Sequence, residues 1–344
     1  MRIVIDILHP AHVHFFRDFW IEMEHQGHEV ILFSRNKDVT VPLLDAGQFE
    51  HTVLSTQRAG VGALAIEMGL RCSRMIRALR NRPPDLLLGI MGPAIAVVGK
   101  LFPKSKTIVF YDNESAKFVN RVVYKLADQY CTPQSYLETA GNNHIRYQGY
   151  HELAYLHPSR FTPNPTIPPK YGLSGQELFV LRFVAWESIH DVGEKGLSLS
   201  LKREILQRLS KRGKVVISSE STLPEEFEPY RLQIPPEDIH HILACTSILI
   251  GESSTMASEA AILGAHAFFV SKTGRGVNDE QEKKYGINHC FSHNQDEEVL
   301  SRLDSLLALP NIRADAERRR DSMIANSVDV TQWMIDLVNK IQHD

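Results

Sequence analysis

Residues 3–33, IVIDILHPAHVHFFRDFWIEMEHQGHEVILF, decide the fold. Ile3–Leu8 is apolar except for Asp6, the pattern of a strand buried on both faces. Val13–His25 reads as a helix, Gly27 as a turn and Val30–Phe33 as the next strand. Working outward, strands are predicted at Leu86–Leu88, Thr107–Phe110 and Gln129–Cys131, with helices over Leu64–Leu79 and Phe118–Ala127. Continuous apolar strands between helical periods predict a parallel, doubly wound sheet.

The alternation stops at His157–Lys170, HPSRFTPNPTIPPK, whose five prolines and lack of period read as an interdomain linker. It then restarts. Strands are predicted at Leu178–Phe183, Val215–Ser218, Ile248–Ile250 and Ala267–Val270, and helices over Ser198–Ser210, Asp238–Ala244 and Met256–Leu263. Glu297–Leu307, Ala314–Ala325 and Thr331–Ile341 complete the chain as helices. The expected fold class is α/β, with Rossmann-like doubly wound domains at residues 1–156 and 171–326 facing across a cleft. The helix in 327–344 is expected to pack back on the first domain. Ligands of open α/β sheets bind at the carboxyl ends of the strands.

Composition excludes several functions. Among 344 residues, 38 Lys+Arg balance 41 Asp+Glu, unlike the basic domains that bind nucleic acid. A hydrophobic content of 43% rules out wholesale disorder. Cys72, Cys131, Cys245 and Cys290 form no C-x-x-C pair, which fits a reducing cytoplasm. Met1-Arg2 runs straight into a strand, so no signal peptide is expected. The apolar stretch Leu86–Val98 is interrupted by Gly89, Gly92 and Pro93 and is too short to span a membrane.

Sixteen histidines raise the question of a metal. The densest group, His9, His12 and His14 beside Asp6, lies where the first strand meets the first helix. Residues two apart on a helix face different directions, so converging ligation is not expected, and no metal site is assigned. His12 and His14 are instead candidate catalytic bases, the alternative being helix capping or surface packing.

The segment Gly251–Gly264, GESSTMASEAAILG, follows an apolar strand and runs into an Ala-rich helix. Ser253, Ser254 and Thr255 place hydroxyls and N–H groups at a helix start, a natural diphosphate site, though an ordinary N-cap reads the same way. Glu259 lies one turn on, where a carboxylate could take both hydroxyls of a ribose. Arg182, near a strand end, could neutralise a phosphate, with Glu187, His190 and Asp191 beside it. The G-x-G-x-x-A run at Gly60–Ala65 sits too late in its domain for a dinucleotide fingerprint. Arg71, Arg74, Arg77 and Arg80 form a three-residue repeat that reads as a solvated face or as a contact with anionic lipid.

These residues carry a resemblance. The opening HPAHVHFFRDFWIEMEHQGHEVILFSR is similar to that of GT-B nucleotide-sugar enzymes. Among them are the N-acetylglucosaminyltransferase that forms lipid II and the UDP-N-acetylglucosamine 2-epimerases. The whole chain most resembles domain of unknown function family 354, through HVHFF, LRFVAWESIHD, VISSE and FYDNESAKFVNR. The resemblance implies a GT-B fold and a glycosyltransferase-like enzyme of cell-surface glycoconjugate synthesis that uses a UDP-sugar donor, a sugar or lipid-linked acceptor and no cofactor. It implies that Ser253 and Ser254 touch the diphosphate and that Glu259 holds the ribose. It also implies that Ile234 reads the uracil edge through its backbone, that Glu280 and Gln281 contact the sugar, and that Asp112, Asn113 and Glu114 belong to the acceptor side; Glu114 is in addition a candidate catalytic carboxylate. Leu8-His9-Pro10 stands where the epimerases have Gly-Thr-Arg-Pro-Glu, which weighs against epimerisation. The alternatives are a UDP-sugar 2-epimerase or hydrolase and a non-catalytic nucleotide-sugar-binding protein. The expected location is cytoplasmic, with peripheral contact at the inner membrane face as the other reading.

Overall fold

A computed structural model describes residues 1–58, 60–111, 117–138, 141–184, 197–219, 222–272 and 276–343. The chain forms two compact units, Met1–Tyr155 with Val328–Asp344, and Leu156–Ser327. The first runs β1 (Arg2–Ile7), α1 (Pro10–His25), β2 (Glu29–Asn36), α2 (Thr40–Ala46), β3 (His51–Thr56), α3 (Val61–Leu79) and β4 (Leu86–Ile90). It continues with α4 (Pro93–Gly99), β5 (Lys106–Phe110), α5 (Lys117–Leu126), β6 (Gln129–Pro133), β7 (His144–Tyr147) and α6 (Leu153–Leu156). The second contains α7 (Ile167–Lys170), β8 (Leu178–Phe183), α8 (Leu199–Ser210), β9 (Lys214–Ser219), α9 (Ile239–Leu243), β10 (Thr246–Gly251) and α10 (Ser254–Ile262). It ends with β11 (His266–Val270), α11 (Gly276–Glu280), β12 (Asn288–Phe291), α12 (Asp296–Leu307) and α13 (Ile312–Ala325), after which α14 (Val330–His343) returns to the first unit.

The first sheet is parallel, in the order β3-β2-β1-β4-β5-β6-β7, and the second is parallel, in the order β12-β11-β10-β8-β9. In each, the direction of winding reverses once, between β1 and β4 and between β8 and β10, and loops diverge at those points to leave a crevice at the carboxyl ends. β1 and β4 are buried almost throughout, which explains their unbroken apolar character. α1 starts at Pro10, whose missing N–H costs nothing at a helix start, and buries Val13, Phe16, Trp20 and Met23 on one face. α14 closes the first core. Thr331 Oγ1 donates to the Ala154 carbonyl at 2.8 Å, Val328 N–H to Gln148 at 2.8 Å, and the Trp333 ring lies 5.0 Å from Tyr147. The Pro-rich residues 157–170 lie within the second unit and include helix α7. Among the described residues no helix is long and apolar enough to cross a membrane.

The arginine repeat on α3 does not form one face. A three-residue step on a helix of 3.6 residues per turn falls back about 60° each time. Arg71 therefore points inward, at 3% exposure, while Arg77 and Arg80 face out. The reading of all four as a solvated or lipid-facing stripe is corrected accordingly. The Arg71 guanidinium pairs with buried Asp6 of β1 and donates to the Ser34 carbonyl and Ser55 Oγ, both at 3.0 Å. One turn earlier, Glu67 receives Arg35 in a fork at 2.7 and 2.8 Å and the Ser55 hydroxyl at 2.9 Å. The network ties the carboxyl ends of β1, β2 and β3 to α3.

At the amino ends of β11 and β12, four side chains form a directional chain. Arg302 Nε can only donate, so the Nδ1 of His289, 3.4 Å away, accepts. His289 then donates through Nε2 to His266 Nδ1 at 3.2 Å, and His266 Nε2 donates to Asp315 at 3.1 Å. Burial pushes His266 down to about 4 and His289 well below the ordinary histidine value, so both rings stay neutral.

Two outcomes are expected. Arg71→Met strands the Asp6 charge and should cost about 3–5 kcal/mol in chemical denaturation, most of it recovered by Asp6→Leu in the same chain. For the histidines, the unfolded rings titrate near 6.5 while the folded ones resist protonation. Stability is therefore full above that pH and falls as pH drops toward 4, by about 1.4 kcal/mol per pH unit for each ring. Denaturation midpoints at about pH 7.5 and about pH 5.5 measure the slope, and equal midpoints would contradict the neutral chain.

Candidate functional site

The second unit's crevice is built around β8 and β10. Gly251 pairs with Arg182, and a Cβ on it would lie 2.6 Å from both the Cβ and the carbonyl oxygen of Arg182, so only glycine permits this approach. Glu252 follows, at 5% exposure. Its Oε2 accepts the Val184 N–H at 2.9 Å, its Oε1 accepts the Leu197 N–H at 2.8 Å, and Lys202 Nζ lies 3.4 Å away. Ser253 is the extended N-cap of α10, its Oγ accepting from Met256 N–H at 3.3 Å. Thr255 is exposed in the first turn. Arg182 is half-buried and donates to Ser218 Oγ at 2.9 Å. These groups place a guanidinium and a helix N-terminus at one strand crossing, an arrangement suited to an anion.

Other predicted residues are already committed. The Ser254 hydroxyl bonds Asn278 Oδ1, and Asn278 Nδ2 returns to the Ser254 carbonyl at 3.2 Å. Gln281 is fully buried, donating to Ser258 Oγ at 2.8 Å and accepting from Asn288 at 3.0 Å. It is a strut between α10 and β12. Glu280 is half-buried and bridges Lys284 at 3.2 Å. Glu259, 8% exposed, accepts from His240 Nε2 at 3.0 Å. Ile234 is half-buried, and among the described residues nothing bonds its N–H or carbonyl. Glu252, Asn278 and His240 escaped the sequence reading. Only the position of Glu252 between strand end and N-cap offered a local signal.

In the first unit, His9 is the N-cap of α1, its Nδ1 accepting from Ala11 N–H at 3.2 Å. Leu8 N–H donates to His12 Nδ1 at 3.2 Å. The neutral His12 ring therefore carries its proton on Nε2. Burial, then the neighbouring His9 and His151, hold it well below the usual histidine range. The Nδ1 lone pair of His12 is thus taken up by a backbone amide. His14 turns to the other side of α1 and packs on Tyr155 at 5.4 Å between ring centroids. Met91, after β4, has φ 49°, a left-handed conformation rare for a side chain of its size and located at the switch of winding. Among the described residues no group of three or more His, Cys, Asp or Glu could hold a metal. Asp112, Asn113, Glu114, Glu187, His190 and Asp191 lie outside the described residues.

Two parallel-sheet units of this kind constitute the GT-B fold, and solved structures of that fold match nearly the whole chain. The spinosyn rhamnosyltransferase SpnG bound to spinosyn aglycone is 13% identical with a TM-score of 0.65, covering 98% of this chain and 100% of its own. *Acinetobacter baumannii* MurG is 14% identical with a TM-score of 0.60, covering 99% and 100%. *Staphylococcus aureus* MnaA with UDP is 11% identical with a TM-score of 0.68, covering 100% and 96%. UDP-N-acetylglucosamine 2-epimerases share the fold as well. The chain belongs to the family described as protein of unknown function (DUF354), matched over residues 1–338. An uncharacterized protein of *Methanocaldococcus jannaschii*, MJ0665, is 23% identical over 275 residues, 76% of this chain and 79% of its own.

Glu252→Ala should lower stability by about 3 kcal/mol, because two amides lose their acceptor and Lys202 its partner. Equilibrium denaturation measures it, and a change under about 0.5 kcal/mol would show that the carboxylate does not hold this crossing.

Proposed function

We propose that the chain is a glycosyltransferase that takes its sugar from a UDP-sugar, the second unit binding the nucleotide and the first the acceptor. The observation that carries the reading is the conjunction of Arg182 with the Ser253-capped start of α10, one turn before the buried carboxylate of Glu259. The fold shared with MnaA in its UDP-bound state supports it. In this reading the first-turn N–H groups of α10, Thr255 and Arg182 hold the diphosphate, Ser253 and Ser254 shape the helix start, and Glu259 accepts from the ribose hydroxyls. Ile234 offers its N–H and carbonyl to the base, and Glu280 lies toward the sugar.

Transfer joins the acceptor oxygen to the anomeric carbon as the bond from that carbon to UDP breaks. The charge that develops on the departing diphosphate falls on donors already aimed by the helix and by Arg182, which is where such donors accelerate reaction. His12 and His14 of the first unit are the candidates for contact with the acceptor hydroxyl. The acceptor proton passes to a carboxylate, for which Glu114 is the candidate. Surface-glycoconjugate synthesis in the cytoplasm, with the acceptor held at the inner membrane face, is the setting that suits a lipid-linked acceptor. The fold shared with UDP-N-acetylglucosamine 2-epimerases supports a second reading, in which the same nucleotide site serves epimerisation or hydrolysis.

Calorimetry with UDP tests the nucleotide site. Glu259→Ala should weaken binding at least tenfold, about 1.4 kcal/mol, and unchanged affinity would remove Glu259 from the ribose. Incubation with UDP-sugars separates the reactions. Acceptor-dependent UDP release marks transfer, release with water alone marks hydrolysis, and an altered sugar without release marks epimerisation.

A further inference from the structure

We propose that His240 is a positioning residue for the nucleotide, acting through Glu259 to select a ribonucleoside diphosphate over its 2′-deoxy form. This rests on the nucleotide reading of the second unit. His240 lies on α9, which is anchored by buried Ile242 and Leu243. Its ring is buried, and an ionised carboxylate can only accept, so the Nε2–H of His240 donates to Glu259 Oε1 across 3.0 Å. The edge of Phe161 meets the His240 ring at 6.1 Å and 80°, while the face of Phe161 stacks on His241 at 5.0 Å. His241 Nδ1 accepts the Asn164 N–H at 3.0 Å. The Pro-rich stretch is thereby fastened to α9 and holds the His240 ring in place.

The chemical consequence follows from the geometry of a carboxylate. A glutamate side chain has three rotatable bonds, and fixing Oε1 sets the plane of the group and hence the direction in which Oε2 offers its lone pairs. Two vicinal hydroxyls demand such a fixed plane, because both must donate to one group at once. A single remaining hydroxyl tolerates a range of orientations. Preorganisation by His240 therefore shows in the affinity for UDP and not in that for 2′-deoxy-UDP, and so in the discrimination between them.

The test measures binding of UDP and 2′-deoxy-UDP to the full-length protein and to two variants of similar polarity. In His240→Gln the amide nitrogen occupies roughly the place of Nε2, and in His240→Asn it stops near the place of Nδ1. The wild type should prefer UDP at least tenfold, about 1.4 kcal/mol. His240→Gln should keep most of that preference. His240→Asn should bring it within about threefold while leaving 2′-deoxy-UDP affinity unchanged, which also shows that the variant is folded. If the wild type binds UDP with the preference and His240→Asn retains it, the positioning role is wrong and the nucleotide reading stands. If the wild type binds neither ligand, the nucleotide reading itself falls.

Discussion

A carboxylate that is almost fully buried persists only where donors surround it, and at Glu252 two of those donors are main-chain amides. Its oxygens accept from Val184, at the exit of β8, and from Leu197, at the entry of α8. One side chain on the end of β10 thus fixes where the neighbouring strand leaves the sheet and where the next helix begins. The rest of the crevice inherits that geometry. Ser253 follows directly as the cap of α10, and Arg182 sits against a glycine that only this approach requires. Lys202, over the Phe183 ring at 4.2 Å, completes the charge balance without reaching solvent fully.

The first unit solves the same electrostatic problem differently. Asp6, near the end of its central strand, is neutralised by an arginine from α3, side chain to side chain. That leaves the loop between β1 and α1 to be organised by histidines, whose Nδ1 atoms receive backbone N–H groups at His9 and His12. Those amides fix the orientation of both rings at the start of α1.

The central strands were legible because parallel strands buried on both faces must be apolar throughout. β3, β7 and β12 went unseen because sequences such as HIRY and NHCF carry no apolar run, whereas the edge strand β9 was legible through its apolar Val215–Ile217. The helix start at Ser253 was legible because an N-cap is a local chemical requirement. The partners of the site residues were not, since Ser254 with Asn278, Ser258 with Gln281 and Glu259 with His240 lie 24, 23 and 19 positions apart. The surroundings of the histidines were hidden for a related reason. Residue type says that a ring can titrate, but which nitrogen carries the proton depends on an amide that only the folded backbone brings near.

The return of α14 bears on how the protein comes to be made. The first unit's core takes in residues that precede and follow the second unit, with Thr331 and Trp333 packed on Ala154 and Tyr147. During vectorial synthesis the strands of that unit emerge first, yet its last layer emerges after the whole second unit. The second unit is one uninterrupted stretch and lacks nothing once Ser327 has left the ribosome. The unit whose strands are translated first is therefore completed last, and the surface on which α14 packs stays uncovered until Val330–His343 has been made.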